Sequence, residues 1–356
     1  MSGYLRRILF ATGSLLLLIV FGYAQSTILD LPRPSQHAVV TQRVGITDVT
    51  INYSRPLVKK REIWGKLVPY GEVWRAGANE NTTIKFTDNV TINGKPLAKG
   101  VYGLHMIPTQ NEWTVIFSNI HTAWGSFTYK QADDALRVTV KPQPADFHEA
   151  LTYDFGEVQA DSAVATLAWE KVAVPFTVAV NVHDTVQASL HNQLQGLAQY
   201  TWEGWDDAAT YLLGEKYDLD EALKYEETSI GTEPRFDNFL TKSQILEAMG
   251  RKDEAEAAKK EALARATAGQ LYAYGRQLQG QKKQDEAFNY FRQAAKKDPN
   301  DWLVHDGNAR IYSAQGDFPN ALKEVRLSLA GAPDNQKIFI EPLIKKLEAR
   351  QDINKN

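Results

Sequence analysis

Hydrophobic and polar residues alternate with period two through the first half of the chain and with a helical period through the second. Val49, Ile51 and Tyr53 alternate with Thr50 and Asn52, Ile84 and Phe86 flank Lys85, Val90 and Ile92 flank Thr91, and Trp113, Val115 and Phe117 alternate again. β-Branched and aromatic residues at that spacing predict half-buried strands. Asn93-Gly94 carries the signal of a type I′ hairpin, and Pro108 closes the run Val101–Ile107. Further strands are expected at Leu136–Val140, Leu151–Phe155 and Val164–Trp169. A long one follows with Val172, Val174, Phe176, Val178, Val180 and Val182 on one face, and Pro175 assigns it an edge position or a bulge. Short, regularly spaced strands without helical crossovers predict an antiparallel β-sandwich or open barrel over residues 36–183.

From about Ser189 a repeat appears. Ala222, Ala255, Ala287 and Ala321 recur at intervals of 33, 32 and 34 residues, the first three in Asp-Glu-Ala. Gly250, Gly280 and Gly316 stand ahead of the alanines, and Pro234, Pro299 and Pro333 behind them. This pattern resembles the tetratricopeptide repeat, an α-solenoid of helical hairpins, here over residues 189–335. Small residues let paired helices approach closely, with Tyr225, Phe291 and Val325 filling the space between them. The first unit lacks the glycine before its second helix. Gln336–Asp352 reads as a capping helix within residues 336–353, with Pro342 tolerable only near its start. The switch from strands to helices is expected at 183–188.

The N-terminus differs from both halves. Arg6 and Arg7 precede an apolar or small run from Ile8 to Phe21, then Gly22-Tyr23-Ala24-Gln25. A basic start, a short apolar stretch and small residues two apart mark a secretory signal, with cleavage expected after Ala24 and the mature chain periplasmic or extracellular. The rival reading is an uncleaved anchor. No Cys is present, which removes disulfides, thiol catalysis and thiolate metal sites. Net charge is −3 with no long basic tract, so nucleic acid is a poor partner. Between Trp202 and Glu233 ten acidic residues face Lys216 and Lys224, read as a solvated helix face.

The densest run of special residues is Ser54–Thr83. Ser54-Arg55-Pro56, Ile63-Trp64-Gly65, Leu67–Arg75 and Gly77-Ala78-Asn79-Glu80 resemble, in order, the domain-of-unknown-function family numbered 2911, found in exported bacterial proteins. The likeness continues through Gly94-Lys95, Ala98–Tyr102, Ile107-Pro108, Glu112-Trp113 and Trp124-Gly125, covering roughly residues 36–180. The resemblance implies a domain and carries no activity with it.

Within this run Gly77, between two alanines, suggests a close backbone approach. Arg75 beside Asn79 and Glu80 offers a rigid donor fork for a carboxylate, phosphate or sugar hydroxyls. The competing reading pairs Arg75 with Glu72 or Glu80 inside the fold and puts Trp64 and Trp74 in the core. Trp124–Tyr129, between strands, is the better sugar-stacking candidate. The ligand-binding candidates are therefore Arg55, Arg75, Asn79, Glu80, Trp124 and Tyr129. No two of the seven histidines stand at the spacing of a helical metal pair. His105, His37 and His121 fall on or near strands, where a three-dimensional cluster stays open. No cofactor motif, phosphate loop or nucleophile elbow is present.

The preferred reading is an exported, non-enzymatic binding or scaffold protein whose repeats take a peptide or protein partner in a concave groove. The alternative is a hydrolase or lyase of envelope carbohydrate using Glu72 or Glu80 with Arg75, which requires two such side chains to converge with raised carboxylate pKa values.

Overall fold

A computed structural model of the chain describes residues 32–355. The signal-like segment lies outside them. No described helix is long and apolar enough to cross a membrane. Two compact units divide between Val180 and Asn181.

The described residues of the first unit form ten strands: β1 (Gln36–Val44), β2 (Thr47–Arg55), β3 (Thr83–Phe86), β4 (Val90–Ile92), β5 (Lys95–Leu97), β6 (Gly100–Ile107), β7 (Trp113–Ser118), β8 (Asp134–Val140), β9 (Gln143–Gly156) and β10 (Ser162–Ala179). They form a six-stranded sheet, β1-β2-β3-β6-β7-β8, and a four-stranded sheet, β5-β4-β10-β9. Every pairing is antiparallel. Of the two architectures expected, the sandwich is the one formed. The sheets meet through aromatic side chains, Phe117 of β7 lying 5.8 Å edge-on to Phe176 of β10. Asn93 and Gly94 both have positive φ, 48° and 79°, as the type I′ turn between β4 and β5 demands.

β10 joins two stretches that read as separate strands. Its register with β9 shifts on either side of Glu170, which takes φ 55°, so a bulge joins the two stretches. Pro175 falls between the end of the β9 pairing at Ala173 and the start of the β4 pairing at Val178, where its missing N–H leaves no ladder bond unmade.

Helices fill the second unit: α1 (Val182–Gln193), α2 (Trp202–Glu215), α3 (Leu219–Thr232), α4 (Phe236–Ala248), α5 (Lys252–Arg265), α6 (Ala268–Gly280), α7 (Gln284–Lys297), α8 (Trp302–Ala314), α9 (Phe318–Gly331) and α10 (Asp334–Glu348). Helical structure thus begins at Val182, just ahead of the expected switch. Asn181 accepts a hydrogen bond from the Asp184 backbone N–H and caps α1, so Val182 ends the valine alternation inside a helix. α2 to α9 pack as four successive hairpins, and α10 packs on α9, in the manner of a tetratricopeptide-like solenoid. Ala222, Ala255, Ala287 and Ala321 each occupy the fourth residue of the second helix of a hairpin and are buried. Tyr225, Phe291 and Val325 are buried beside them.

Three details depart from the sequence reading. The left-handed residue of the hairpin turn is Gly250 and Gly316 in two units, but Lys216 (φ 52°) and Lys282 (φ 63°) in the others, while Gly280 remains within α6. Pro342 sits inside α10, well past its first turn, and the helix ends at Glu348. The acidic stretch of the first hairpin is not wholly solvated, because Glu226 is completely buried.

Candidate functional site

The motif folds back along β6. Gly71 N–H donates to the Pro108 carbonyl at 2.9 Å, and Trp74 exchanges two backbone hydrogen bonds of 2.8 Å with Met106. That pairing turns Trp74 into the core, where its ring stacks on Trp169 at 5.9 Å. Trp64 packs edge-on against Trp74, Trp113 and Trp169 at 5.8, 4.8 and 5.7 Å. Four tryptophans therefore pin the motif to both sheets, with Trp64 and Trp74 half-buried against the fully buried Trp113 and Trp169. Positive φ at Ala76 (50°) and Asn79 (60°) then reverses the chain. The Ala76 carbonyl closes that reversal by accepting from the Thr82 hydroxyl at 3.1 Å and the Tyr153 hydroxyl at 3.0 Å. A Cβ on Gly77 would lie 2.4 Å from Thr82 Oγ1 and 3.3 Å from the Ser54 carbonyl, the close approach its setting suggested.

The candidate side chains do not share one pocket. Arg55 donates to the Leu151 carbonyl at 2.9 Å and Thr152 Oγ1 at 2.8 Å, tying β2 to β9. Asn79 donates to the Ser35 carbonyl and to Ser54 Oγ at 3.1 and 3.2 Å, which holds the segment leading into β1. Tyr129 donates to Asp134 at 2.7 Å and accepts from Arg137, so its hydroxyl is engaged within the fold. Trp124 is 54% exposed, with the Arg33 guanidinium 5.8 Å from its ring centroid. Glu80 pairs with Arg33 at 2.5 Å, and that hydrogen bond lowers its carboxyl pKa.

Arg75 pairs with neither Glu72 nor Glu80, contrary to the internal ion pair considered above. It is half-buried beside Gly125, its Nε meets no acceptor, and desolvation alone lowers its pKa. The physical reason is local: Glu80 is taken by Arg33, and Glu72 is exposed near the Pro108 end of β6.

What converges is a polar groove of about 510 Å³ on the β1–β2 side, lined by Arg33, His37, Asn52, Ser54, Glu80 and His121 among others. His37 Nε2 lies 2.6 Å from Asn52 Oδ1. His37 and His121 were noted as strand-end histidines, but nothing in the sequence brought Asn52 and Arg33 to them. His105 is elsewhere, buried, with Nδ1 2.9 Å from Ser126 Oγ and its pKa pushed down to about 4 by burial. Among the described residues no three His, Asp or Glu side chains are placed to hold a metal.

The helical unit holds a second polar cluster, buried on α8 and opening to solvent at Arg276 on α6. Tyr272, Arg276 and Gln279 on α6 and Asp306, Arg310 and Ser313 on α8 each follow the i, i+4, i+7 spacing of one helix face. Arg310 binds Asp306 at 2.6 Å, both buried, and Tyr272 donates its hydroxyl to the same carboxylate. Arg276, though exposed, donates to Gln279 at 2.9 Å and to no acid among the described residues, and partial desolvation, then Arg310, lowers its pKa. Sequence reasoning missed this set. The only available signal was that polar residues recur at helical spacing on the first helix of each hairpin.

Residues 35–178 match the family described as Protein of unknown function (DUF2911). No curated protein matches the chain. Among solved structures, the chain is similar to the APC/C hetero-tetramer Cut9–Hcn1 at 14% identity and a TM-score of 0.31, over 47% of this chain and 33% of that one. It is also similar to YrrB, a TPR protein with an unusual peptide-binding site, at 12% identity and a TM-score of 0.27, over 46% of this chain and 86% of that one. The hairpin spacing described above, rather than these likenesses, defines the array.

Proposed function

We propose that this protein is an exported binding or scaffold protein whose hairpin array takes a peptide or protein segment on the face formed by α6 and α8. The observation that carries this reading is the row of six polar side chains on two adjacent helices, in which Arg276 meets no acid among the described residues. Arg276 is exposed at the edge of that row, and a guanidinium there with no acidic partner among the described residues suits an incoming carboxylate. The signal-like residues 6–25 support export. In the first unit, the polar groove and the neighbouring Trp124–Arg33 edge suit a hydroxyl-rich ligand such as envelope carbohydrate. Binding is preferred to hydrolysis there, because Arg33 holds Glu80 ionised and Glu72 is not among the groove's residues.

Site-specific photocrosslinking in cells tests the array. Arg276→benzoylphenylalanine is expected to give a discrete adduct with a partner protein. Lys323→benzoylphenylalanine, on an exposed position of α9, is expected to give none. No adduct at 276, or equal adducts at both, overturns the assignment of this face.

A further inference from the structure

The polar face of α6 and α8 is already occupied by a segment of the same chain. Beyond α10 the backbone turns at Arg350, whose φ is 55° and whose guanidinium lies 5.9 Å from the Phe318 ring centroid. Asp352, Ile353 and Asn354 then form a tight turn closed by a 3.2 Å bond from Lys355 N–H to the Asp352 carbonyl. Asp352 Oδ1 accepts from the Asn354 backbone N–H at 3.0 Å, as an Asx turn requires.

This turn meets the face through side chains. Ser313 Oγ donates to Asp352 Oδ1 at 3.1 Å and accepts from the Ile353 N–H at 3.0 Å. The Asn354 amide donates to the Arg310 carbonyl at 2.9 Å and accepts from Gln279 Nε2 at 2.9 Å. Ile353 is 6% exposed, seated in the cluster that holds Ala309, Val325 and Leu347. One aliphatic anchor flanked by hydrogen-bonding side chains is how a short peptide is held on a groove.

Among the described residues the fit leaves one charge without an ion pair. Arg276 and Arg310 place two cations on the face, and Asp306 answers Arg310. Asp352 is spent on Ser313 and Asn354, and the next residue along is a lysine. Gln279 links Arg276 to Asn354, so the Asn354 end of the turn lies one side chain away from a guanidinium that has no acidic partner among the described residues.

Building on the peptide-binding reading above, we infer that the Asp352–Lys355 turn is a tethered occupant of the face, displaced by a partner segment with the same Asp-aliphatic-Asn turn followed by an acidic residue. The tether makes occupancy intramolecular, so an untethered partner must exceed the turn's own affinity by better contacts. The carboxylate that reaches Arg276 provides them. The same contacts explain selectivity, since a basic residue at that position faces Arg276 and is disfavoured.

The test uses the full chain and a release variant, Ile353→Asp with Asn354→Ala, which ejects the turn without shortening the protein. A fluorescent peptide spanning residues 349–356 and its Lys355→Glu form are titrated into each and followed by anisotropy. The release variant is expected to bind both peptides saturably, the Lys355→Glu form at least three-fold tighter. The unaltered chain is expected to bind each at least ten-fold more weakly. A folded release variant that binds neither peptide, or an unaltered chain that binds as well as the variant, overturns tethered occupancy. A Lys355→Glu peptide that binds no tighter overturns the acidic partner. Should the release variant fail to show the helical circular dichroism of the parent, Asp352→Ala with Asn354→Ala removes the polar contacts while keeping the Ile353 anchor, and the same outcomes decide. Because the probe is the chain's own sequence in vitro, its failure is separable from a missing partner in the crosslinking experiment.

Discussion

Glu226 of α3 lies wholly buried against Asp206 of α2, acid against acid, within hydrogen-bonding reach of it once one of the two carries a proton. Burial first, then the charge of Asp206, pushes the Glu226 pKa from 4.5 up to about 10. In the native state the carboxyl therefore keeps its proton at neutral pH, while the unfolded chain releases it above 4.5. The native state binds more protons throughout that window, so stability is fully present below pH 4.5 and falls as pH rises toward about 10. Glu226→Gln removes the titration and keeps the shape. The variant is expected to melt several degrees above the parent at pH 8 and together with it at pH 4.5. A variant that melts lower at pH 8 would show that the carboxylate is ionised and satisfied.

The third hairpin is closed by one aromatic ring. A Cβ on Gly275 of α6 would lie 2.5 Å from Phe291 Cε1 and 3.1 Å from the Ala287 carbonyl, and one on Gly307 of α8 would lie 3.1 Å from Phe291 Cβ. Phe291, 1% exposed, thus fills the gap that two glycines leave. Gly275→Ala gains about 1 kcal/mol of helix propensity. Against this stands overpacking that typically costs about 1–3 kcal/mol. The expected net is a loss of stability in urea denaturation, largely recovered in Gly275→Ala with Phe291→Leu. A single variant more stable than the parent would refute the close packing.

These contacts show what the chain discloses as sequence and what it does not. The alanine period was visible because one small residue per hairpin meets the same steric need each time. The I′ turn was visible because Asn93-Gly94 has few other uses. Glu170 and Lys282 were not, because a left-handed residue without glycine leaves no compositional mark, so one bulged strand read as two. The groove was hidden for a different reason. His37, Asn52, Glu80 and His121 come from separated segments, and only the pairing of β1 with β2 and the Glu80–Trp124 bridge bring them to one side. Arg75 was legible as a residue type but not as unpaired, because the competitor for Glu80 is Arg33, far away in sequence.

Glu80 offers a direct check on the groove. Its ion pair with Arg33 joins side chains 54% and 39% exposed, where such pairs contribute about 0.2–1 kcal/mol. Because the pair lowers the Glu80 pKa, its contribution is present above the usual carboxylate range and lost as pH falls through the lowered value. Glu80→Gln is expected to change stability by less than about 1 kcal/mol and to weaken binding of a soluble oligosaccharide panel by isothermal titration. Retained binding would move the ligand away from this groove.

The two most informative arginines make opposite predictions. Arg75 is half-buried with no acid beside it among the described residues, so Arg75→Met removes a partly desolvated charge, keeps the alkyl packing and strands no described partner. Its stability is expected to stay within about 1 kcal/mol of the parent or to rise. Arg310 is buried on Asp306 and shares that carboxylate with Tyr272, so Arg310→Met leaves an acid in the interior with one hydroxyl for company. That loss is expected to cost about 3–5 kcal/mol, confined to the unfolding transition of the helical unit. Denaturant titrations followed by far-UV circular dichroism at 222 nm, where helices dominate, and by tryptophan fluorescence, to which the four-tryptophan cluster of the first unit contributes, separate the two. A loss above about 2 kcal/mol on Arg75→Met would mean that its guanidinium has an anionic partner in the folded protein, and the free donor offered to a ligand would not exist.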